Sequence, residues 1–164
     1  MMKRVIVYGS MTGNTQAGAE DLAALLGGKA VAAADADAAT LAGCDLLVLG
    51  ASTWGMGELQ DDMADFLSGF AAMDVTVSAG AVFGLGDQFG YGDSFVDGIA
   101  DMAEALKDKG IRLVGRWPTA GYGFSASRAQ DGDEFLGLAL DQDNEEEKTA
   151  GRLRGWAEQI KAEV

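Results

Sequence analysis

Histidine is missing from this chain, and cysteine and proline occur once each. Without histidine there is no Ser-His-Asp or Cys-His nucleophile and no imidazole metal ligand. The single thiol, Cys44, excludes an internal disulfide, a C-x-x-C redox pair and a thiolate-held iron–sulfur cluster. Placed just before a strand-like run, it reads as a small core residue. Electron transfer by such a protein would need an organic cofactor. No apolar run approaches the roughly 18 residues that span a membrane. The apolar stretch after Met1-Met2-Lys3-Arg4 is too short for a signal peptide, so the expected location is cytoplasmic. Positive charge is scarce: 12 Lys and Arg stand against 26 Asp and Glu, for a net charge of −14. Such a surface suits neither nucleic acid nor an anionic membrane, but it does suit a basic protein.

What is present is a core and a rhythm. Apolar residues make up 48% of the 164, enough for one ordinary domain and too many for disorder. Residues 4–8 read as a buried strand. Residues 14–26 read as a helix with Ala17, Leu22, Leu25 and Leu26 inward, stopped by Gly27-Gly28. A weak second strand covers 29–33. Residues 45–50 form a third, apolar throughout as a central parallel strand should be. A helix over 60–71 puts Met63, Phe66, Leu67 and Phe70 on one face. A fourth strand covers 76–83. A helix over 94–109 aligns Phe95, Ile99, Met102 and Leu106. A fifth strand runs over 111–117, and a terminal helix over 145–162. Repeated β-α units with short loops predict an α/β fold, a doubly wound five-stranded parallel sheet with helices on both faces. The Gly-, Ser- and Asp-rich segment of about 118–141 breaks the rhythm and ends in a strand-like 135–140. It reads as an insertion beside the fifth strand, leaving residues 1–164 as a single domain.

Three loops leave the C-terminal strand ends, where open α/β sheets bind ligands at the topological switch point. The first, Ser10-Met11-Thr12-Gly13-Asn14-Thr15, runs from strand into helix. Its backbone N–H groups and the helix N-terminus favour an anion, and Ser10, Thr12, Asn14 and Thr15 add side-chain donors. Neither the loop nor the following helix contains Lys or Arg. The Walker pattern, which needs a Lys, is therefore absent, and a single terminal phosphate held by neutral donors fits better, as in a mononucleotide. The second loop is Ala51-Ser52-Thr53-Trp54-Gly55-Met56-Gly57-Glu58. The third is Gly84-Leu85-Gly86-Asp87-Gln88-Phe89-Gly90-Tyr91-Gly92-Asp93. Each sets a large aromatic among glycines. Singly, such a ring more often packs on its own scaffold; beside a phosphate loop, two of them suggest a sandwich around a flat ligand.

These motifs resemble those of the flavodoxins along the whole length. Ser10–Thr15 matches the [ST]-x-T-G-N-T phosphate loop, and Thr53-Trp54-Gly55-Met56-Gly57-Glu58-Leu59 the second loop. Gly84-Leu85-Gly86-Asp87-Gln88-Phe89-Gly90-Tyr91 matches the third. The insertion, with Gly137-Leu138-Ala139-Leu140-Asp141-Gln142-Asp143-Asn144, resembles the long-chain members. The resemblance implies sheet order 2-1-3-4-5, for which flavodoxin is itself the standard example. It implies FMN as cofactor, with phosphate on Ser10, Thr12, Asn14 and Thr15 and the ring between Trp54 and Tyr91. Asp87 would accept from flavin N3–H. Met11, Gly13, Ser52, Thr53, Gly55, Met56, Gly57, Gly84, Leu85, Gly86, Phe89, Gly90 and Asp93 complete the implied contact set. The Gly55-Met56 carbonyl would turn toward flavin N5 and favour the semiquinone. Asp61, Asp62, Asp65, Asp87 and Asp93 would oppose the second electron.

The implied function is that of a low-potential one-electron carrier with non-covalent FMN, shuttling between semiquinone and hydroquinone. It would be a monomeric electron-transfer flavoprotein and not an enzyme. Its partners would be redox proteins with basic docking faces: ferredoxin/flavodoxin-NADP reductase, nitrogenase reductase or pyruvate:flavodoxin oxidoreductase. An alternative with the same fold and cofactor is an NAD(P)H:quinone reductase. It would need a nicotinamide pocket, yet no Arg or Lys occurs in the three loops, and stacked rings would block hydride access. A receiver domain would need acids where Gly9-Ser10 and Gly50-Ala51-Ser52 stand. The acidic runs at 131–134 and 145–147 read as solvated faces and helix N-terminal charge, with no metal site.

Overall fold

The first apolar run forms β1 (Arg4–Gly9), fourth from one edge of the sheet's five-strand main path and second from the other. The computed structural model describes residues 2–10, 13–54 and 56–164. β1 is flanked in parallel by β2 (Lys29–Ala32) and β3 (Leu46–Trp54). β3 pairs in turn with β5 (Ala79–Leu85), and β5 with β10 (Leu138–Leu140). A two-residue strand, β4 (Glu58–Leu59), folds back antiparallel on the end of β3. The order β2-β1-β3-β5-β10 is the expected 2-1-3-4-5 arrangement.

Helices cover both faces because successive strand residues point to opposite sides. Val5, Val7, Leu47 and Leu49 pack with Met63, Phe66 and Phe70 of α3 (Asp61–Phe70) and Ile99, Met102 and Leu106 of α4 (Gly98–Asp108). Ile6, Leu46, Val48 and Phe83 pack with Leu22 and Leu26 of α1 (Asn14–Leu26) and Leu153, Trp156 and Ile160 of α5 (Gln142–Glu163). Each fully buried Leu, Ile or Phe contributes about 1.5–3 kcal/mol. α2 (Ala38–Leu41) is one turn long and escaped the periodicity. Asp37 and Thr40 hold it in a reciprocal cap.

The fifth sheet position differs from the expected single strand over 111–117. Only β6 (Arg112–Leu113) forms there, opposite Ala79 and Gly80 at the start of β5. Gly115 then takes φ +80 and turns the chain away, its carbonyl accepting from Trp156 Nε1 at 2.7 Å. A Cβ on Gly115 would lie 2.8 Å from that same nitrogen. The excursion carries a small antiparallel sheet, β7 (Trp117–Pro118), β9 (Glu134–Phe135) and β8 (Gln130–Asp131), before β10 returns opposite Phe83, Gly84 and Leu85.

Candidate functional site

The sheet register brings three loops to one rim: Gly9 lies opposite Ala51, and Ala51 opposite Gly84. Neighbouring parallel strands are about 4.8 Å apart, so the loops leave side by side. Between them lies a crevice of about 250 Å³ lined by Asn14, Thr15, Ser52, Thr53, Trp54, Leu85, Gly86, Asp87 and Tyr91, with Gln142 and Asp143 of α5. The first nine were expected at the site. The α5 pair was not, because the sequence pattern places 141–144 at the tail of the insertion.

At the first loop, Gly13 takes φ +91 and donates to Ser10 Oγ at 3.0 Å. That leaves the Ser10 hydroxyl proton to give elsewhere. The first helical bond runs from Ala17 N to Gly13 O, so the N–H groups of residues 14–16 precede the ladder and point out of the helix end. No acid sits in this first turn. Met11 and Thr12, both expected contacts, lie outside the described residues.

The second loop is a turn closed by Gly57 N on Trp54 O at 3.2 Å. Thr53 Oγ1 accepts from Gly98 N at 2.9 Å and ties the loop to the start of α4. Gly57 has φ +101, and a Cβ there would meet Asp97 Oδ2 at 2.6 Å; only glycine suits that position. Trp54 is 40% exposed and Met56 94%. Gly55 lies outside the described residues.

The third loop is organised by Asp87. Its Oδ1 accepts from Phe89 N at 3.0 Å, Gly90 N at 2.7 Å and Asn144 Nδ2 at 2.8 Å, and its carbonyl accepts from Tyr91 N at 2.9 Å. The Gly90 amide, with Asn144 and Phe89, holds the carboxyl below the usual Asp range. Tyr91 is 55% exposed and lines the same crevice as Trp54. Met56, Phe89, Gly90 and Asp93 instead line a second depression, shared with Tyr91 and the excursion's Gly123 and Ser125. Gly84 faces inward, within β5, where a Cβ would press on Ile99 Cγ1 at 2.7 Å. Val96, the one non-glycine with positive φ among the described residues (φ 47), ends the loop before α4.

The crevice lining contains no Lys or Arg. Between Lys29 and Lys107 the chain has 13 acidic residues and no basic one, and Asp61, Asp62 and Asp65 on α3 are exposed. Among the described residues no three His, Cys, Asp or Glu are grouped to hold a metal, and no helix is long and apolar enough to cross a membrane.

A parallel doubly wound sheet with a polar, cation-free helix N-terminus and two exposed rings around its switch-point crevice defines the flavodoxin-like class of nucleotide-binding α/β proteins. A family model described as Flavodoxin matches residues 6–156. The flavodoxin of Picosynechococcus sp. is 38% identical, covering 98% of this chain and 97% of its own. Flavodoxin 1 of Salmonella typhimurium is 40% identical, covering 97% and 93%. The crystal structure of Fusobacterium nucleatum flavodoxin bound to flavin mononucleotide aligns with TM-score 0.92 at 27% identity, covering 100% of this chain and 99% of that one. The chain belongs to the flavodoxin family.

Proposed function

We propose that this protein is a one-electron carrier that binds FMN without a covalent bond in the crevice between β1, β3 and β5. The observation that carries this reading is that exposed Trp54 and Tyr91 line one crevice with Asn14 and Thr15 at the cation-free N-terminus of α1. Bound FMN supplies the redox chemistry, taking up or giving electrons one at a time. The chain supplies the rest. Ser10 Oγ–H, the Thr15 hydroxyl and the N–H groups of residues 14–16 hold the phosphate dianion by neutral donors and the helix dipole. Trp54 and Tyr91 cover the ring faces and exclude water from them. Asp87 spends Oδ1 on Phe89, Gly90 and Asn144 and leaves Oδ2 as the acceptor for a ring N–H. The carboxylates of residues 61, 62, 65, 87 and 93 disfavour added negative charge on the cofactor. A carboxylate about 10 Å from such a charge would cost it roughly 0.4–1.7 kcal/mol for effective dielectrics of 80 to 20, and salt screens the exposed ones.

The same acidic face orients basic redox partners: ferredoxin/flavodoxin-NADP reductase, nitrogenase reductase or pyruvate:flavodoxin oxidoreductase, met in the cytoplasm by a monomer. The protein passes electrons and turns over no substrate of its own. No lining residue offers the cation that an NADPH-dependent quinone reductase would use. Anaerobic titration of the FMN-loaded protein with reductant, followed by visible absorbance, tests the proposal. Two separate one-electron stages support it. A single two-electron bleach points to the reductase, and failure to take up FMN removes the flavin reading.

A further inference from the structure

Asp87 Oδ1 takes three donors, and only two come from its own loop. The third, Asn144 Nδ2 at 2.8 Å, reaches it from the first turn of α5, 57 residues along the chain. The same amide nitrogen lies 3.1 and 2.9 Å from the two oxygens of Asp141. Asp141 is fully buried and caps α5 by accepting from Asn144 N at 3.1 Å. Its Oδ2 also accepts from Gln88 N at 3.1 Å and Gln88 Nε2 at 2.8 Å. Gln88 is itself buried, and its amide is used at both ends. Oε1 accepts from Gly123 N at 2.5 Å, and Nε2 also donates to Glu145 Oε1 at 2.7 Å.

A buried carboxylate costs free energy unless donors surround it. Every donor recorded for Asp141 comes from the third loop or from the first turn of α5. The helix breaks at Glu145 (φ −134, ψ 42), inside this set of bonds, so residues 141–145 form a separate short unit bonded to the loop. Gln142 and Asp143, between the anchors Asp141 and Asn144, line the crevice.

We propose that Asn144, Asp141 and Gln88 are positioning residues for the third loop. They hold the turn over residues 87–91, and with it the Tyr91 ring, in its ligand-competent place before any ligand arrives. The inference rests on reading the crevice as a flavin site. Ordering the loop in advance removes that cost from binding. Because residues 87–91 serve the ring and not the phosphate, the benefit falls equally on FMN and on riboflavin.

Asn144 is exposed, so Asn144→Ala leaves the core intact. The test compares this variant with the wild type and with Thr40→Ala, which removes the hydroxyl half of the remote cap of α2. Two quantities are read: amide hydrogen exchange at Phe89 and Gly90 in the ligand-free protein, and FMN and riboflavin dissociation constants from flavin fluorescence quenching. Asn144→Ala should speed exchange at both amides and weaken both flavins by the same factor, about tenfold for a lost bond to a charged group. Thr40→Ala should change neither. Unchanged exchange with unchanged affinities overturns the proposal, as does weakening of FMN alone. Should the wild type bind neither flavin while Asn144→Ala still speeds exchange at Gly90, the positioning of the loop stands and the flavin reading of the crevice falls.

Discussion

Glu145 is expected to make the protein's stability depend on pH well below the ordinary carboxylate range. Its side chain is 12% exposed, and burial alone would raise its pKa. Bonds from Lys148, Gln88 and Arg152 outweigh that and bring it down to about 2, from 4.5 for a free Glu. A depressed acid contributes its full stability above its unfolded pKa and loses it as pH falls through the folded value. At about 1.4 kcal/mol per unit, the contribution is about 3 kcal/mol at pH 7 and falls to about 1 kcal/mol at pH 3. Glu145→Gln removes the titrating charge and strands Arg152, which is 11% exposed and whose Nη1 has no partner among the described residues. Urea unfolding of wild type and variant at pH 7, 5, 4 and 3, followed by circular dichroism, gives the difference directly. It should be near 3 kcal/mol at neutral pH and shrink by about 2 kcal/mol by pH 3. A difference that stays constant over this range would refute the reasoning, because the ion pairs at Glu145 would then add nothing that depends on its charge.

Gly57→Ala, at φ +101 and against Asp97, should destabilise the ligand-free protein by about 1–3 kcal/mol in urea and weaken FMN, since the strain lies in the second loop. Trp54→Ala and Tyr91→Ala should each cost about 1–3 kcal/mol of FMN affinity, as aromatic stacking does elsewhere. Both rings are substantially exposed, so the unfolding midpoint of the ligand-free protein should barely move; a large shift would make them scaffold residues. Electron transfer to a basic reductase, followed by stopped flow, should slow as salt rises from about 0.01 to 0.3 M. A flat dependence would remove steering by the acidic face.

Locally coded features were legible from sequence. α1 has the expected bounds, with Gly27 at φ +67 closing it, and buries Leu22 and Leu26 as the spacing indicates, but Ala17, expected inward, is exposed and Gly18 and Ala19 are buried instead. The parallel sheet followed from the β-α rhythm, and the order of its strands around β1 from the family resemblance. Features set by distant partners were not legible. The fourth strand was expected over 76–83 but forms as Ala79–Leu85, because pairing of Ala79 with Leu46 sets its start and the apolar run does not. The helix expected from residue 94 begins at Gly98: residues 92–97 bond instead to the excursion, through Gly92 O, Phe95 N and Asp97 Oδ1. A short turn capped by Asp141 precedes the break at Glu145, after which the terminal helix runs as expected. At the site, the loops were readable from their residue types. The contribution of Gln142, Asp143 and Asn144 was not, since nothing local marks a helix start as the wall of a crevice built 50 residues upstream.

The divided sheet edge sets the excursion outside the register of the sheet. β6 leaves β5 at Gly80 and β10 rejoins it at Phe83, so only the places opposite Ala81 and Val82 lie between them. At about 3.3 Å per residue, two residues span that gap. A chain in which residues 114–137 are replaced by two β-formers would thus carry one unbroken fifth strand in the same register. The excursion is a parenthesis in the register of the sheet but not in the fold, for Phe124 and Phe135 pack on Phe95, and Gly123 and Arg128 bond to Gln88 and Asp97.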